Sequence, residues 1–186
     1  MTEAPSPTDL SIDSLDVIAP GAFAAAVAPL FEGARLFLGR LAMARPFGSV
    51  EELFARAREI AHAMPLDEKI ELIDAHPRLG APPADVSTLS FVEQGYDRDA
   101  TEREAEAARA HVATELDRLN AAYEARHGFR YCTFVAGRSR AELLPEMTAA
   151  LDAERDDEIE RALDAVIDIA RDRYATLTAA AAEDRA

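Results

Sequence analysis

Residues 101–128, TEREAEAARAHVATELDRLNAAYEARHG, decide the fold class of this chain. Thr101-Glu102-Arg103-Glu104 has the form of a helix start, a hydroxyl residue followed three positions later by a glutamate. Ala105, Ala108, Val112, Leu116, Leu119 and Tyr123 then recur at three- and four-residue spacing and track one stripe. That is the signature of an amphipathic helix at about 100° per residue. Gly128 closes it, because a residue without Cβ readily takes the left-handed conformation of a C-terminal cap. This is the longest helix that the sequence predicts.

The same period extends in both directions. A first helix is expected from near Gly21 with Phe23, Val27, Leu30 and Phe31, and Arg35 to Ala44 continues helically until Arg45-Pro46-Phe47-Gly48 breaks it. Ser49-Val50-Glu51-Glu52 reads as a capping box opening a helix through about Met64. Pro65 suits the first turn of the next, in which Leu66, Ile70 and Ile73 share a face and which stops at His76-Pro77. Ser139-Arg140-Ala141-Glu142 caps a further helix, and a last one runs from about Asp157 to Thr178. Two segments interrupt the pattern. Leu79 to Ala100 is rich in Pro, Gly, Ser and Asp and reads as a long loop with at most one short helix; loops of this length are usually functional or disordered. Tyr131 to Val135, β-branched and aromatic, is the only strand-like run. The expectation is an all-α, compact single-domain fold with one long loop and a short extended segment. Residues 1–14 read as a disordered tail and 15–180 as the helical domain.

Composition narrows the function classes. The 186 residues are 49% hydrophobic, enough for a core without staples. No stretch approaches the roughly 18–20 apolar residues of a membrane span. Met1 to Asp13 is polar and resembles a floppy tail more than a signal peptide, and Ala182 to Ala186 carries no peroxisomal or lipid motif. Cys132 is the single cysteine, which excludes an internal disulfide and a Cys-based zinc site and suits a reducing, cytoplasmic home. No histidine shows metal-ligand spacing. A net charge of −15 argues against nucleic acid, which needs basic patches. Glycine-rich phosphate loops, nucleophile elbows and dinucleotide fingerprints are absent from the sequence, so chemistry is expected without those cofactors.

Four stretches carry polar groups that a merely structural helical domain has little use for. His76 precedes proline, which pushes it out of the helical region, so its imidazole can leave the helix surface and face a cleft. A helix-end histidine favoured by the dipole is the competing explanation. Ser90-Phe91-Val92-Glu93 is itself a capping-box pattern, yet Gln94 and Gly95 cut the helix short, and a short helix in a long loop offers Glu93 to whatever the loop covers. Tyr131, Cys132, Thr133, Phe134 and Val135 form either a core edge or a rail of backbone donors and acceptors beside a ligand. Arg173 falls inside the apolar stripe of Ile159, Leu163, Val166, Ala170, Tyr174 and Leu177, with Arg171 at its edge. An arginine there needs an anion or must snorkel out: Glu93 or a bound carboxylate would serve.

These stretches, in this order, resemble the OHCU decarboxylase family from about Phe23 to Leu177. The resemblance includes Ala44-Arg45-Pro46-Phe47, Ala75-His76-Pro77-Arg78-Leu79-Gly80, Ser90 with Glu93 and Gln94, Leu119-Asn120-Ala121-Ala122-Tyr123, Gly137-Arg138-Ser139 and Ile169-Ala170-Arg171-Asp172-Arg173. It departs after Gln94, where Gly95-Tyr96-Asp97-Arg98-Asp99 replaces an Ala/Gly-rich continuation, and at Arg130, which replaces a common proline. The resemblance implies cofactor-free decarboxylation of 2-oxo-4-hydroxy-4-carboxy-5-ureidoimidazoline to (S)-allantoin in urate breakdown, by a helical homodimer. It implies His76 and Glu93 as catalytic residues. Substrate contacts are implied at Pro77, Ser90, Phe91, Val92, Gln94, at Tyr131, Cys132, Thr133, Phe134 and Val135, and at Arg173. Two other readings remain at this level: a non-catalytic helical module binding a related ureido or carboxylate ligand, and a structural domain whose four stretches are caps and salt bridges.

Overall fold

The computed structural model describes residues 9–81, 86–94 and 103–183, with the side chains of Phe91, Glu93 and residues 103–108 outside that description. Nine α-helices and a 3-10 turn fall within the described residues, and no strand does. The expected cap at Thr101-Glu102 lies outside the described residues. No described helix is long and apolar enough to cross a membrane. Residue contacts group the chain into two compact units, one of residues 1–75 with 167–186 and the other of residues 76–166.

The first unit begins with α1 (Ile12–Val17), α2 (Pro20–Val27) and a 3-10 turn (Ala28–Phe31). It continues with α3 (Arg35–Met43), α4 (Val50–Ala63) and α5 (Leu66–Asp74), and it includes α9 (Arg155–Glu183) from residue 167 onward. The tail expected through residue 14 is corrected here, because residues 12–14 are helical. Six residues cannot hold a helix alone, since nucleation is unfavourable. Tertiary contacts supply the difference. Leu15 is fully buried, worth about 1.5–3 kcal/mol. Arg45 Nη1 donates to the carbonyls of Leu15 and Ile18 at 2.8 and 2.6 Å, and the Asp16 carboxylate accepts from the amides of Phe47 and Gly48 at 2.9 and 2.8 Å. The Arg45-Pro46-Phe47-Gly48 breaker therefore docks against α1. Ser49 caps α4 as expected, its hydroxyl accepting from the Glu52 amide at 3.1 Å. Phe31 and Phe37 pack with tilted rings at 4.8 Å, and Phe54 meets Tyr174 edge-on at 5.7 Å, so α9 joins the core of this unit.

The second unit holds α6 (Thr88–Glu93), α7 (Arg103–His127), α8 (Arg140–Ala150) and α9 up to residue 166. α9 has 29 residues and α7 has 25, so the longest described helix is the last one. Uninterrupted helix-forming residues carry it beyond the expected limits at both ends. Gly128 caps α7 at φ +79°, and Ser139 with Glu142 forms a complete capping box on α8. Tyr123 is the hub of the unit. Its ring packs on His127, Phe129 and Tyr131 at 4.4, 5.5 and 5.2 Å, and its hydroxyl donates to Glu158 at 2.8 Å. Those contacts lead the chain out of α7 into residues 131–135, which are irregular and join no sheet.

Candidate active site

His76 opens the second unit, directly after α5 stops. The Ala75 amide still bonds back to Glu71 at 3.0 Å, and the chain then leaves the helix at His76, as the following proline requires. His76 is 4% exposed, so it is a buried residue. A side chain that merely complements a helix dipole has no need of such burial.

The turn after His76 is pinned from several directions. Arg130 donates to the His76 carbonyl at 3.1 Å. Gln94 accepts from the Gly80 amide at 2.7 Å and donates to the Arg78 carbonyl at 3.3 Å. Asn120 donates to the Leu79 carbonyl at 2.9 Å, while Arg78 makes a two-point ion pair with Glu124 on α7. Gly80 is required: its φ is +80°, and a Cβ there would meet Leu116 Cδ1 at 2.8 Å. The backbone around Pro77 is thereby preorganised, which is what precise placement of a reacting group demands.

Helix α6 resolves the ambiguity of Ser90. The cap is Ser87, whose hydroxyl accepts from the Ser90 amide at 3.2 Å. Ser90 is thus an interior position of the helix and is buried, and so is Gln94 one turn later. Val92 lies on the opposite side of the helix and is 52% exposed, so its side chain is on the outer face. The side chains of Phe91 and Glu93 lie outside the described residues.

Residues 131–135 are held by two arginines and a glutamate. Arg161 on α9 donates to the Cys132 carbonyl at 2.9 Å, grips Glu158 at 2.8 Å, and stacks over the Tyr131 ring at 4.7 Å. Arg138 donates to the Phe134 and Val135 carbonyls at 2.6 and 3.0 Å and to Glu146 at 2.7 Å. Glu146 also accepts from the Tyr131 and Thr133 hydroxyls at 3.1 and 3.0 Å. Burial pushes up the Glu146 carboxyl, but these three donors outweigh it and hold the group below the usual carboxylate range. Burial also raises the Tyr131 phenol, against Arg161 and with Glu146, so it stays a neutral donor. For Arg161, burial works against the charge, and Glu158 with the two tyrosines more than restores it.

Arg173 belongs to the first unit and is 2% exposed, whereas Arg171 is exposed and lies over Phe54 at 5.6 Å. The register read from the apolar stripe therefore separates the two correctly. Arg173 donates to Glu32 at 2.9 Å and to the carbonyls of Pro29 and Leu30 at 3.0 and 3.4 Å. Among the described side chains its anion is Glu32; the side chain of Glu93, the partner considered from the sequence, lies outside them. Among the described residues no group of three or more His, Cys, Asp or Glu could hold a metal.

The roles of Asn120, Arg130, Arg138, Glu146 and Arg161 were missed at the level of sequence. Asn120 and Arg138 lay inside resembling motifs without an assigned function. Arg161 sits on the far side of the α9 stripe, where nothing marks a helix buried on more than one side.

A model of the OHCU decarboxylase family matches residues 17–175. The chain belongs to the OHCU decarboxylase family. A curated relative, the uric acid degradation bifunctional protein PucL of Bacillus subtilis (strain 168), is 28% identical over 148 residues. That match takes in 80% of this chain but only 28% of the relative's length. Among solved structures, an OHCU decarboxylase crystallised in the presence of (S)-allantoin superposes with a TM-score of 0.61 at 23% identity. It covers 81% of this chain and 94% of that one. An (S)-allantoin synthase gives 0.62 at 17% identity, covering 90% of this chain and 54% of the other. At these identities the two structures establish the shared helical fold.

Proposed function

We propose that this chain catalyses the decarboxylation of 2-oxo-4-hydroxy-4-carboxy-5-ureidoimidazoline to (S)-allantoin, the step that family membership and the urate-degrading relative support. The observation that carries the reading is the buried His76 on a turn fixed by Gln94, Asn120 and Arg130. A structural histidine at a helix end explains neither the burial nor the fixation.

No external electron sink is needed in this reading. When the carbon–carboxylate bond breaks, its electron pair moves toward the substrate's own C=N bond and carbon dioxide leaves. A proton must then return to the ring. His76 supplies acid–base assistance and delivers that proton to one face, which fixes the enantiomer. Glu93 is the second catalytic group, hydrogen-bonding the substrate beside the departing carboxylate. Pro77, Ser90, Phe91, Gln94 and the segment from Tyr131 to Val135 shape the pocket, Val92 only through its backbone, with Gln94 acting through the turn that it clamps. Arg173 is kept as a partner for an anionic or carbonyl group of the ligand, in addition to Glu32. The proposed enzyme is a cytoplasmic homodimer that takes a small-molecule substrate without a cofactor.

The test generates the unstable acid from urate in situ and follows optical activity with wild-type protein, His76→Asn and no protein. The wild type is expected to accelerate decarboxylation and give one enantiomer. His76→Asn, folded by circular dichroism, should lose about 10²- to 10⁴-fold of the acceleration and drift toward racemic product. A folded His76→Asn protein with wild-type rate and stereochemistry would remove His76 from the mechanism.

A further inference from the structure

The backbone of residues 131–135 is an asymmetric surface. Its Cys132 carbonyl is taken by Arg161, and its Phe134 and Val135 carbonyls are taken by Arg138. The Thr133, Phe134 and Val135 amide N–H groups, in contrast, make no hydrogen bond among the described residues. Side chains do not compensate, since the Thr133 hydroxyl donates to Glu146 and Phe134 and Val135 have nothing polar to offer. Three of the carbonyls of this irregular segment are thus occupied, while the amides of Thr133, Phe134 and Val135 are not.

The arginines do more than occupy oxygens. A carbonyl and the N–H that follows it belong to one conjugated peptide group. A guanidinium on the Cys132 oxygen draws density from the Thr133 nitrogen, and one on the Phe134 oxygen does the same to the Val135 nitrogen. Linked hydrogen bonds of this kind strengthen one another by about 10–30% each. Both guanidinium groups are themselves fixed, Arg161 by Glu158 and Arg138 by Glu146, so the segment is held from behind at both ends.

We propose that Arg161 and Arg138 are positioning residues that set the Thr133 and Val135 amides as polarised donors for the acceptor oxygens of the ligand. This rests on the function proposed above and adds to it that urea, imide or carboxylate oxygens of the ligand meet these two amides. The arginines need not touch the ligand; they act through the peptide groups.

The direct probe is amide NMR of the wild-type protein titrated with (S)-allantoin. The Thr133 and Val135 amide protons are expected to move downfield as they acquire an acceptor. The second arm is steady-state kinetics of Arg138→Met, chosen because the Arg138 side chain is 39% exposed and its loss opens little core. KM is expected to rise about tenfold, equivalent to about 1.4 kcal/mol, with kcat within about threefold of wild type. Arg138→Lys, able to reach one carbonyl where the guanidinium reaches two, should fall between. A merely structural role would reduce the active fraction, lowering kcat and leaving KM alone. Saturating allantoin that leaves both amides unmoved, or a wild-type KM in Arg138→Met, overturns the assignment. Should Arg138→Met not fold, the wild-type titration decides alone. A wild-type protein that neither selects an enantiomer nor binds allantoin defeats the proposed function and this assignment with it. One that does both while the amides stay silent defeats only the assignment.

Discussion

Arg173→Ala should destabilise the first unit strongly, because the structure gives this side chain four jobs at once. Its guanidinium bonds Glu32 at 2.9 Å and the carbonyls of Pro29 and Leu30 at 3.0 and 3.4 Å, and its stem fills a core position at 2% exposure. The Glu32 side chain is 15% exposed, so both partners are largely out of water. Removing one member of such a pair leaves an uncompensated charge, a loss of about 3–5 kcal/mol. For a chain of this length each kcal/mol moves Tm by about 2–4 °C, so the midpoint should fall by about 6–20 °C. Arg171→Ala, which gives up only a contact over Phe54 at 5.6 Å, should lose less than about 1 kcal/mol. The assay is thermal unfolding of Arg173→Ala, Glu32→Ala and the double variant. The two single losses should be strongly non-additive, with a coupling above about 1 kcal/mol. Additive losses, or an Arg173→Ala midpoint within 2–3 °C of wild type (well under the shift of about 6 °C set by the rate above), would refute the ion pair as the reason for an arginine in this stripe. Allantoin titration of Arg173→Lys, which keeps the charge, then reads any ligand role separately.

Gln94→Glu keeps the oxygen that accepts from the Gly80 amide and removes the donor to the Arg78 carbonyl. It should cost about 1–3 kcal/mol in urea unfolding and depress turnover further by loosening the His76 turn; unchanged turnover would detach that turn from catalysis. Glu146 has its folded carboxyl depressed by Arg138, Thr133 and Tyr131 against the effect of burial. A depressed group stabilises the fold at every pH above its unfolded value, about 4.3, and that contribution is lost as pH falls through the folded value. The stability gap between wild type and Glu146→Gln should therefore be full at pH 6–7 and shrink below about pH 4; a gap independent of pH would contradict the direction of the shift.

The fold was largely legible because its helices announce themselves by period. The limits of α3 (Arg35–Met43) and α4 (Val50–Ala63) follow from the Arg45 to Gly48 breaker and the Ser49 cap. What escaped depended on contacts distant in sequence. Residues 12–17 have no helical signal of their own, and only the docking of Arg45 and Asp16 makes them a helix. Ser90 matched a capping pattern, but Ser87 lies three residues earlier and takes the cap, which a pattern of four residues cannot arbitrate. The stripe on α9 separated Arg173 from Arg171 because burial there is one-sided, and it was silent on Arg161 because Glu158 and Arg161 occupy another buried side of the helix.

One choice of residue recurs wherever the chain leaves regular structure. Lys69 is the only lysine, so nearly all of the 20 basic residues are arginine in a protein of charge −15. Arg45 caps α1 through the Leu15 and Ile18 carbonyls, Arg126 takes the Leu151 carbonyl beyond α8, and Arg155 takes the His127 carbonyl at the end of α7. Arg130 holds the His76 carbonyl, and Arg138 and Arg161 hold the segment after α7. A helix end or an irregular turn leaves carbonyls that need donors. Lysine offers a point charge on a flexible stem, whereas the guanidinium fork can satisfy a carbonyl and a carboxylate at once. Abundant glutamate and aspartate thus supply the far end of these forks, as Glu158 and Glu146 do for Arg161 and Arg138. On this account the acidity of the chain does not oppose its basic residues; it fixes their geometry, as Glu124 does for Arg78 in the turn after His76 and as Glu158 and Glu146 do along residues 131–135.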